Sequence, residues 1–184
     1  MKLVVFSSAP IIVLDAKNYL YAPYEKEMKL WAEKVDTIHF CCPIWKEDKK
    51  LLITKISFQI APIIELLEFD LTTIKNSFIA IAKVLRNLVK VYKAMKYADH
   101  IHLRCPGNIG LLGCFVQLLF PKKPKTVKYA GNWDPNSKQP VSYRFQKWIL
   151  STTLLTKNCK VMVYGSWKNQ SQNIIPFFTA SYSE

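Results

Sequence analysis

An α/β fold with a mostly parallel sheet, arranged as a Rossmann-like three-layer sandwich, is the fold class that this sequence predicts. Three observations support it. Short apolar runs alternate with longer amphipathic segments, several of these runs end in loops containing glycine, proline or serine, and half of the 184 residues are hydrophobic. Such alternation is typical of β–α–β units. No inner boundary is evident, so the sequence predicts one domain over residues 1–184.

Short runs between helical segments mark the strands, and the first two of these runs are apolar. Six are predicted, at Leu3–Phe6, Thr37–Cys42, Leu51–Ile60, His100–Arg104, Thr126–Ala130 and Lys160–Tyr164. The tail from Ile174 to Glu184 is predicted to be extended, with no further helix. The connection over Pro62 and the acidic stretch Glu65–Asp70 carries no clear pattern.

Longer segments with a three-to-four residue repeat mark four helices. They are predicted at Pro23–Val35, from Thr72 or Thr73 to Tyr97, at Ile109–Phe120 and at Val141–Leu155. In the second helix one apolar line faces the core and lysines form a basic outer face. That line consists of Ile74, Phe78, Ile81, Leu85, Leu88, Tyr92 and Met95.

The charge is strongly one-sided. Twenty-six lysines and arginines oppose thirteen acids, for a formal net charge of +13. This excess indicates an anionic partner: a membrane surface, a phosphate-bearing substrate or a nucleic acid. Only three of the basic residues are arginines, the side chain on which base readout depends most, so diffuse attraction to anionic headgroups is favoured.

The cysteines and the hydropathy pattern indicate the cellular compartment in which the protein is expected. The five cysteines include no CxxC pair and no zinc spacing, so we expect reduced, mostly buried thiols in a cytoplasmic protein. No segment reaches the roughly 20 apolar residues that span a bilayer. We therefore expect any membrane contact to be peripheral, on the surface of the inner membrane.

The functional site is expected at the carboxyl ends of the strands, where ligands bind in open parallel sheets. The loops there are Ser7–Pro10, Cys105–Asn108, Gly131–Pro135 and Gly165–Trp167. The sequence lacks a Walker loop, a GxGxxG fingerprint, HExxH, GxSxG and an Asp-x-Asp pair. It therefore does not support a self-contained nucleotide-dependent enzyme, and no metal or cofactor is predicted.

Several residues in these loops have two interpretations. Arg104 ends a strand, where it either binds a phosphate or carboxylate or forms a structural ion pair. Gly107, Gly110 and Gly113 either expose helix amides to an anion or allow close helix–sheet packing. The histidines at positions 39, 100 and 102 are predicted to be core residues, because no third metal ligand accompanies them.

The loop Gly131–Asp134 has the composition of a sugar site. It combines a glycine, the amide of Asn132, the flat ring of Trp133 and the carboxylate of Asp134. An aromatic ring can hold the C–H face of a sugar while amide and carboxylate groups bind its hydroxyls. The alternative is an ordinary strand-to-helix turn with a buried tryptophan.

Five segments together resemble the N-terminal domain of GT-B-fold glycosyltransferases, most of all the bacterial family-four enzymes that build surface polysaccharides. They are Ser8–Pro10 (SAP), Tyr21–Tyr24 (YAPY), His102–Gly110 (HLRCPGNIG), Lys128–Trp133 (KYAGNW) and Val163–Trp167 (VYGSW). The resemblance spans nearly the whole chain and rests on loop patterns. It departs from many relatives at one point, since Gly131 or Asn132 occupies the place of a histidine near the reacting sugar.

The resemblance implies an acceptor-binding domain that faces a second, donor-binding domain across a cleft. The complete enzyme would transfer a sugar from a nucleotide sugar, without a required metal, to a saccharide or lipid-linked acceptor. The pair of glutamates that holds the donor has no counterpart here, so the isolated chain is expected to be inactive and its catalytic residue is unassigned. The acceptor-site residues expected from the resemblance and from loop position are Ser8, Pro10, Arg104, Gly107, Asn108, Asn132, Trp133, Asp134, Gly165 and Ser166.

Two rival functions remain at this stage. A basic nucleic-acid-binding or interaction module would account for the charge, and would bind with a steep salt dependence. A small nucleotide-binding protein would be stabilised by nucleotide sugars alone.

Overall fold

A seven-stranded, entirely parallel sheet forms the centre of the molecule. The computed structural model describes residues 1–69 and 77–177. The strands in chain order are β1 Lys2–Phe6, β2 Ile11–Leu14, β3 Lys17–Tyr21, β4 Thr37–Cys42, β5 Ile44–Trp45, β6 Ile53–Lys55, β7 Ile64–Glu65, β8 His100–Cys105, β9 Lys125–Tyr129, β10 Cys159–Tyr164 and β11 Ile174–Phe177. The helices are α1 Ala22–Ala32, α2 Ser77–Tyr97, α3 Asn108–Val116 and α4 Val141–Ser151.

The strand order in the large sheet is β11-β10-β9-β8-β1-β4-β7. From β1 the chain builds the sheet outward through β4 and β7, and then returns to place β8 on the other side of β1. This reversal is the defining feature of doubly wound α/β folds. The predicted Rossmann-like sandwich is therefore confirmed.

Each face of the sheet has its own hydrophobic core. On one face, Phe6 and Leu103 pack with Met95 of α2, Ile109 of α3 and Leu150 of α4. On the other, Val5 and Phe40 pack with Tyr24 and Met28 of α1 and with Leu20 of β3. The layer that contains α2, α3 and α4 thus lies opposite α1.

Most predicted elements are confirmed, with small shifts at their ends. The strands at β1, β4, β8, β9 and β10 and the four helices lie where the sequence placed them. The third predicted helix ends with a 3-10 turn at Gln117–Leu119. The extended tail supplies β11, while residues 178–184 and the capping position at Thr72 or Thr73 lie outside the described residues.

The third predicted strand is too long and lies in a different sheet from the one expected. Of Leu51–Ile60 only β6 is a strand, and it pairs antiparallel with β3 in a separate four-stranded sheet of order β5-β2-β3-β6. The strand beside β4 is the two-residue β7, which carries no apolar run. The hairpin of β2 and β3 was also missed, because its turn places Asp15 and Ala16 at positive φ (47° and 58°) without the usual glycine.

The buried face of α2 also differs from the prediction. Ile74 and the side chain of Phe78 lie outside the described residues. Met95 is buried and Leu88 half-buried against the core, as predicted, whereas Ile81, Leu85 and Tyr92 are exposed to solvent. Ala80 and Ala94 face the core in their place. Small side chains permit a closer approach to the sheet. In addition, the buried Asn87 accepts the Leu67 N–H at 2.9 Å and donates to the Leu67 carbonyl at 2.8 Å, which fixes the rotation of the helix.

Candidate functional site

The topological switch point lies between β1 and β8, and the loops that follow these strands meet there. Ser8, after β1, accepts a hydrogen bond on its Oγ from the Ile109 N–H of α3 at 3.2 Å. After β8, the carbonyl oxygen of Gly107 accepts the first helical hydrogen bond of α3, from the Leu111 N–H at 2.8 Å. The two loops therefore form one continuous surface at the start of α3.

A pocket of about 260 Å³ opens at this junction. It is lined by residues that follow four different strands and by one residue of α4. They are Ser8 after β1, Pro43 after β4, Glu68 and Phe69 after β7, Pro106, Gly107, Asn108 and Ile109 after β8, and Tyr143 in the first turn of α4. The structure thus brings together three of the expected site residues, Ser8, Gly107 and Asn108.

The backbone of Gly107 is what allows Ser8 to come so close. Its φ of 155° is a conformation that side-chain-bearing residues rarely adopt. A Cβ at this position would lie 2.5 Å from the Ser8 Oγ. Any larger residue would therefore push the serine out of contact with α3 and change the shape of the pocket.

The other two glycines of this region serve packing. A Cβ on Gly110 would lie 2.8 Å from the Arg104 carbonyl oxygen, and a Cβ on Gly113 would lie 2.7 Å from the Leu103 Cδ2. Both contacts are shorter than van der Waals distance, so α3 lies directly against β8. For these two glycines the packing interpretation is correct.

The pocket offers the groups that hydroxylated ligands need. Ser8 and Tyr143 carry hydroxyls, Asn108 an amide and Glu68 a carboxylate, while Phe69 provides an apolar wall. The Asn108 Nδ2 donates to the Phe69 carbonyl at 2.7 Å, which orients the amide. A small number of oriented polar groups against an apolar wall is characteristic of small-molecule sites.

Arg104 does not line this pocket. Its guanidinium stacks 3.8 Å from the ring centroid of Tyr24 and its Nη1 donates to Glu27 Oε2 at 2.6 Å. Lys128, on β9, donates to the same carboxylate oxygen at 2.7 Å. These three charged side chains form a cluster between α1 and the sheet, so the ion-pair interpretation of Arg104 describes the structure.

Burial sets the electrostatics of this charged cluster. Burial alone would raise the pKa of Glu27, but the neighbouring cations, Arg104 first, outweigh it and hold that pKa below its usual value. His102 lies beneath the cluster with its Nδ1 2.8 Å from Thr126 Oγ1. Burial lowers the pKa of His102 to about 3, so the imidazole is neutral near pH 7.

Trp133 is buried, with only 2% of its surface exposed. Its ring meets that of Tyr129 edge to face at 4.9 Å, and its Nε1 donates to Gln170 Oε1 at 2.8 Å. The ring therefore does not present a platform to a sugar. The Asp134 N–H donates to Asn132 Oδ1 at 2.9 Å, and Asp134 Oδ1 accepts the Asn136 N–H at 2.8 Å, as in a hydrogen-bonded turn.

The remaining expected residues lie outside the pocket. Pro10 is half-buried in the loop before β2, and Ser166 is exposed after β10. Gly165 has a φ of 82°, and beside it the Trp167 Nε1 donates to the Tyr164 carbonyl at 2.9 Å.

Sequence reasoning missed Tyr143, Glu68 and Phe69. Tyr143 could have been inferred, because a helix that follows a strand in such a fold begins at the same rim where that strand ends. Glu68 and Phe69 follow β7, whose two residues gave no strand signal. Their position was therefore beyond inference from the sequence.

Within residues 1–69 and 77–177, no three cysteine, histidine, aspartate or glutamate side chains lie close enough together to hold a metal ion. All five cysteines are free and buried, as predicted. Of the three histidines predicted to be core residues, His102 is fully buried, while His39 and His100 are half-buried. Over the same ranges, no helix is long and apolar enough to cross a membrane.

The geometry defines a doubly wound α/β protein with a polar pocket at its switch point. Comparison with the models of known protein families and with curated proteins finds no match to this chain. Function must therefore be argued from the site.

Proposed function

We propose that this chain is the acceptor-binding half of a glycosyltransferase of surface polysaccharide synthesis, which transfers a sugar from a nucleotide sugar to a saccharide or lipid-linked acceptor. The observation that carries the proposal is the switch-point pocket, where Ser8, Asn108, Glu68 and Tyr143 surround a volume of about 260 Å³. That volume suits part of a saccharide rather than a whole dinucleotide.

The polar groups of the pocket match sugar chemistry. A sugar hydroxyl both donates and accepts hydrogen bonds, and the Glu68 carboxylate accepts while the Ser8 and Tyr143 hydroxyls can do either. The Asn108 side chain adds a carbonyl oxygen and one N–H, since its other N–H donates to the Phe69 carbonyl. Such a set would fix the orientation of an acceptor hydroxyl at the rim.

The donor would be held by a second Rossmann-like domain, on the same polypeptide or on a separate chain. The described residues offer no phosphate-binding loop at β1, where Ser7–Pro10 replaces a glycine-rich turn. Catalysis requires both substrates to be held together, so this domain by itself would bind acceptor without turnover.

Isothermal titration calorimetry with a water-soluble, short-chain lipid-linked monosaccharide tests the proposal. We expect binding by the natural chain, and about fivefold weaker binding by both Asn108→Ala and Tyr143→Phe, since one hydrogen bond contributes about 1 kcal/mol. Asn136→Ala is the matched control, because this exposed amide lies on the same rim outside the pocket.

Two results would contradict the proposal. One is equal binding by the pocket variants and the control. The other is clear thermal stabilisation of the chain by UDP-, GDP- or ADP-hexoses alone, which would indicate a nucleotide site in this domain.

A further inference from the structure

Ten of the sixteen large hydrophobic side chains that are exposed in the described part of the chain lie on the outer surface of the helical layer. We define the outer helical face as the solvent side of α2, α3 and α4 with the turns that follow α3 and α4. Its exposed apolar residues have between 38% and 79% of their surface accessible. They are Ile81, Leu85, Val89, Tyr92, Phe115, Leu119, Val141, Phe145, Trp148 and Leu154.

Aromatic contacts join the three helices of this face. Tyr92 of α2 meets Phe120, just after the 3-10 turn, with ring centroids 5.4 Å apart. Phe115 of α3 meets Phe145 of α4 at 5.5 Å, and Phe145 stacks on Trp148 at 5.4 Å. Exposed apolar surface therefore extends over the whole layer and is not confined to one helix.

The same layer is free of acidic residues. Helices α2, α3 and α4 contain no aspartate or glutamate, and residues 77–158 contain fourteen lysines and arginines against Asp99 and Asp134. Ten of the thirteen acids of the chain lie in residues 1–70. Exposed Arg86, Lys93 and Lys96 lie beside the apolar side chains of α2.

We propose that the outer helical face docks this protein on an anionic lipid bilayer. Proteins bind the surface of a bilayer through apolar side chains with basic neighbours. The apolar side chains enter the boundary between headgroups and acyl chains, and the cations attract anionic lipid headgroups. Exposed Trp148 and Tyr92 are suited to the headgroup level of a bilayer, because each ring system has an apolar part and a polar part.

Other occupants fit this face less well. A second copy of the chain, related by a two-fold axis, would bring two acid-free basic surfaces together, which like-charge repulsion opposes. A nucleic-acid duplex would be attracted by the cations, but its bases are stacked inside and it offers little apolar surface to Leu85, Leu119 or Leu154. A single strand could stack its bases on the aromatic rings but leaves these aliphatic side chains exposed. A bilayer satisfies both features.

Docking on this face has a consequence for the pocket. Helices α3 and α4 begin at the carboxyl rim, where Asn108 and Tyr143 line the pocket in their first turns. A bilayer lying along the outer helical face would therefore bring the pocket mouth to the level of the headgroups. If the proposed function is correct, a lipid-linked acceptor could present its sugar there with its tail still in the membrane; the docking itself does not depend on that function.

Vesicle flotation of the purified chain tests the inference. We expect binding to vesicles containing phosphatidylglycerol and little binding to pure phosphatidylcholine. Two variants should weaken it: Phe145→Ser with Trp148→Ser, and Arg86→Gln with Lys93→Gln and Lys96→Gln. Loss of three cations corresponds to about a 100-fold lower partition coefficient, at about a factor of five for each charge.

Matched controls remove similar groups elsewhere. Leu30→Ser with Leu52→Ser removes two exposed apolar side chains, and Lys26→Gln with Lys29→Gln and Lys34→Gln removes three exposed lysines on or beside α1. Both controls should bind vesicles like the natural chain, and circular dichroism should show that every variant is folded.

Three outcomes would overturn the inference. The first is equal loss of binding in the lysine control, which would indicate diffuse attraction by net charge. The second is self-association without lipid that the Phe145 and Trp148 changes abolish, as seen by light scattering. The third is salt-sensitive binding to RNA or DNA with no binding to anionic vesicles.

Discussion

Replacing Glu27 by Gln removes the charge that holds the Arg104 and Lys128 side chains between α1 and the sheet. The two cations donate to the same carboxylate oxygen at 2.6 and 2.7 Å, and only 16% and 8% of their side chains are exposed. The substitution preserves the shape of the residue but leaves both cations without their common counter-charge.

The cost follows from the geometry. At an effective dielectric constant of about 20, two unit charges about 4 Å apart attract by about 4 kcal/mol, and Glu27 makes two such contacts. Desolvation offsets much of that gain, and the glutamine carbonyl can still accept one hydrogen bond. We therefore expect Glu27→Gln to lower the free energy of unfolding by about 3–5 kcal/mol, the range for breaking a buried pair.

Chemical denaturation and calorimetry would measure this loss. For a chain of this length it corresponds to a melting temperature lower by about 6–20 °C. Glu33→Gln is the control, because Glu33 is exposed at the end of the same helix. A loss for Glu27→Gln within about 0.5 kcal/mol of the control would refute the assignment of the cluster as a stabilising contact.

The contribution of Glu27 should also depend on pH. The folded pKa of Glu27 is lower than its value in the unfolded chain, so the stabilisation is present above the unfolded pKa, about 4.3, and is lost as the pH falls through the folded value. The stability difference between the natural chain and Glu27→Gln should thus be constant from about pH 6 to 8 and shrink below about pH 4. A difference that grows in acid would contradict the sign of the pKa shift.

Two further substitutions test the walls of the pocket and the position of α2. Gly107→Ala should lower the free energy of unfolding by about 1–3 kcal/mol, because the new Cβ would lie 2.5 Å from Ser8 Oγ at a φ of 155°. Urea denaturation measures this loss of stability. An unchanged denaturation midpoint would contradict the close contact between Gly107 and Ser8. Asn87→Ala should lower the free energy of unfolding by about 2–3 kcal/mol, because it leaves the Leu67 N–H and carbonyl without their side-chain partners at 2.9 and 2.8 Å. Hydrogen exchange at the Leu67 amide should become faster. An unchanged exchange rate would count against the contact.

The large sheet could be predicted because its strands are buried on both faces. β1 and β4 appear as apolar runs, and β8, β9 and β10 as short runs of β-branched, aromatic and polar residues. Runs of that kind between helical segments imply parallel pairing. The small sheet could not be predicted in the same way. β5, β6 and β7 have two or three residues each, and they are strands because of their neighbours rather than their own sequence.

The rotation of α2 shows a limit of hydrophobic periodicity. Ile81, Leu85, Val89 and Tyr92 form an apolar line that points to solvent, while the buried side combines Val91 and Met95 with alanines and Asn87. Periodicity identifies an apolar face but does not say whether that face meets the protein or another partner. The mismatch itself is informative, since it is the exposed line that the proposed bilayer contact uses.

The candidate site was predictable in location and only partly in residues. Strand-end position predicted that Ser8, Gly107 and Asn108 come together, and they line one pocket because the place of the switch point depends on topology. Trp133 was proposed as a sugar platform from loop composition alone, and composition does not show that its ring is buried against Tyr129. The ion pair of Arg104 required knowledge that α1 faces β8, which no local pattern contains.

Amide chemical-shift mapping with a short-chain lipid-linked monosaccharide tests the central claim most directly. The account predicts that the largest shifts fall on Ser8, Gly107, Asn108 and Tyr143 and that the amide of Asn136 shifts little. Shifts that cluster away from the start of α3, or no saturable shifts at all, would contradict the assignment of the switch-point pocket as the acceptor site.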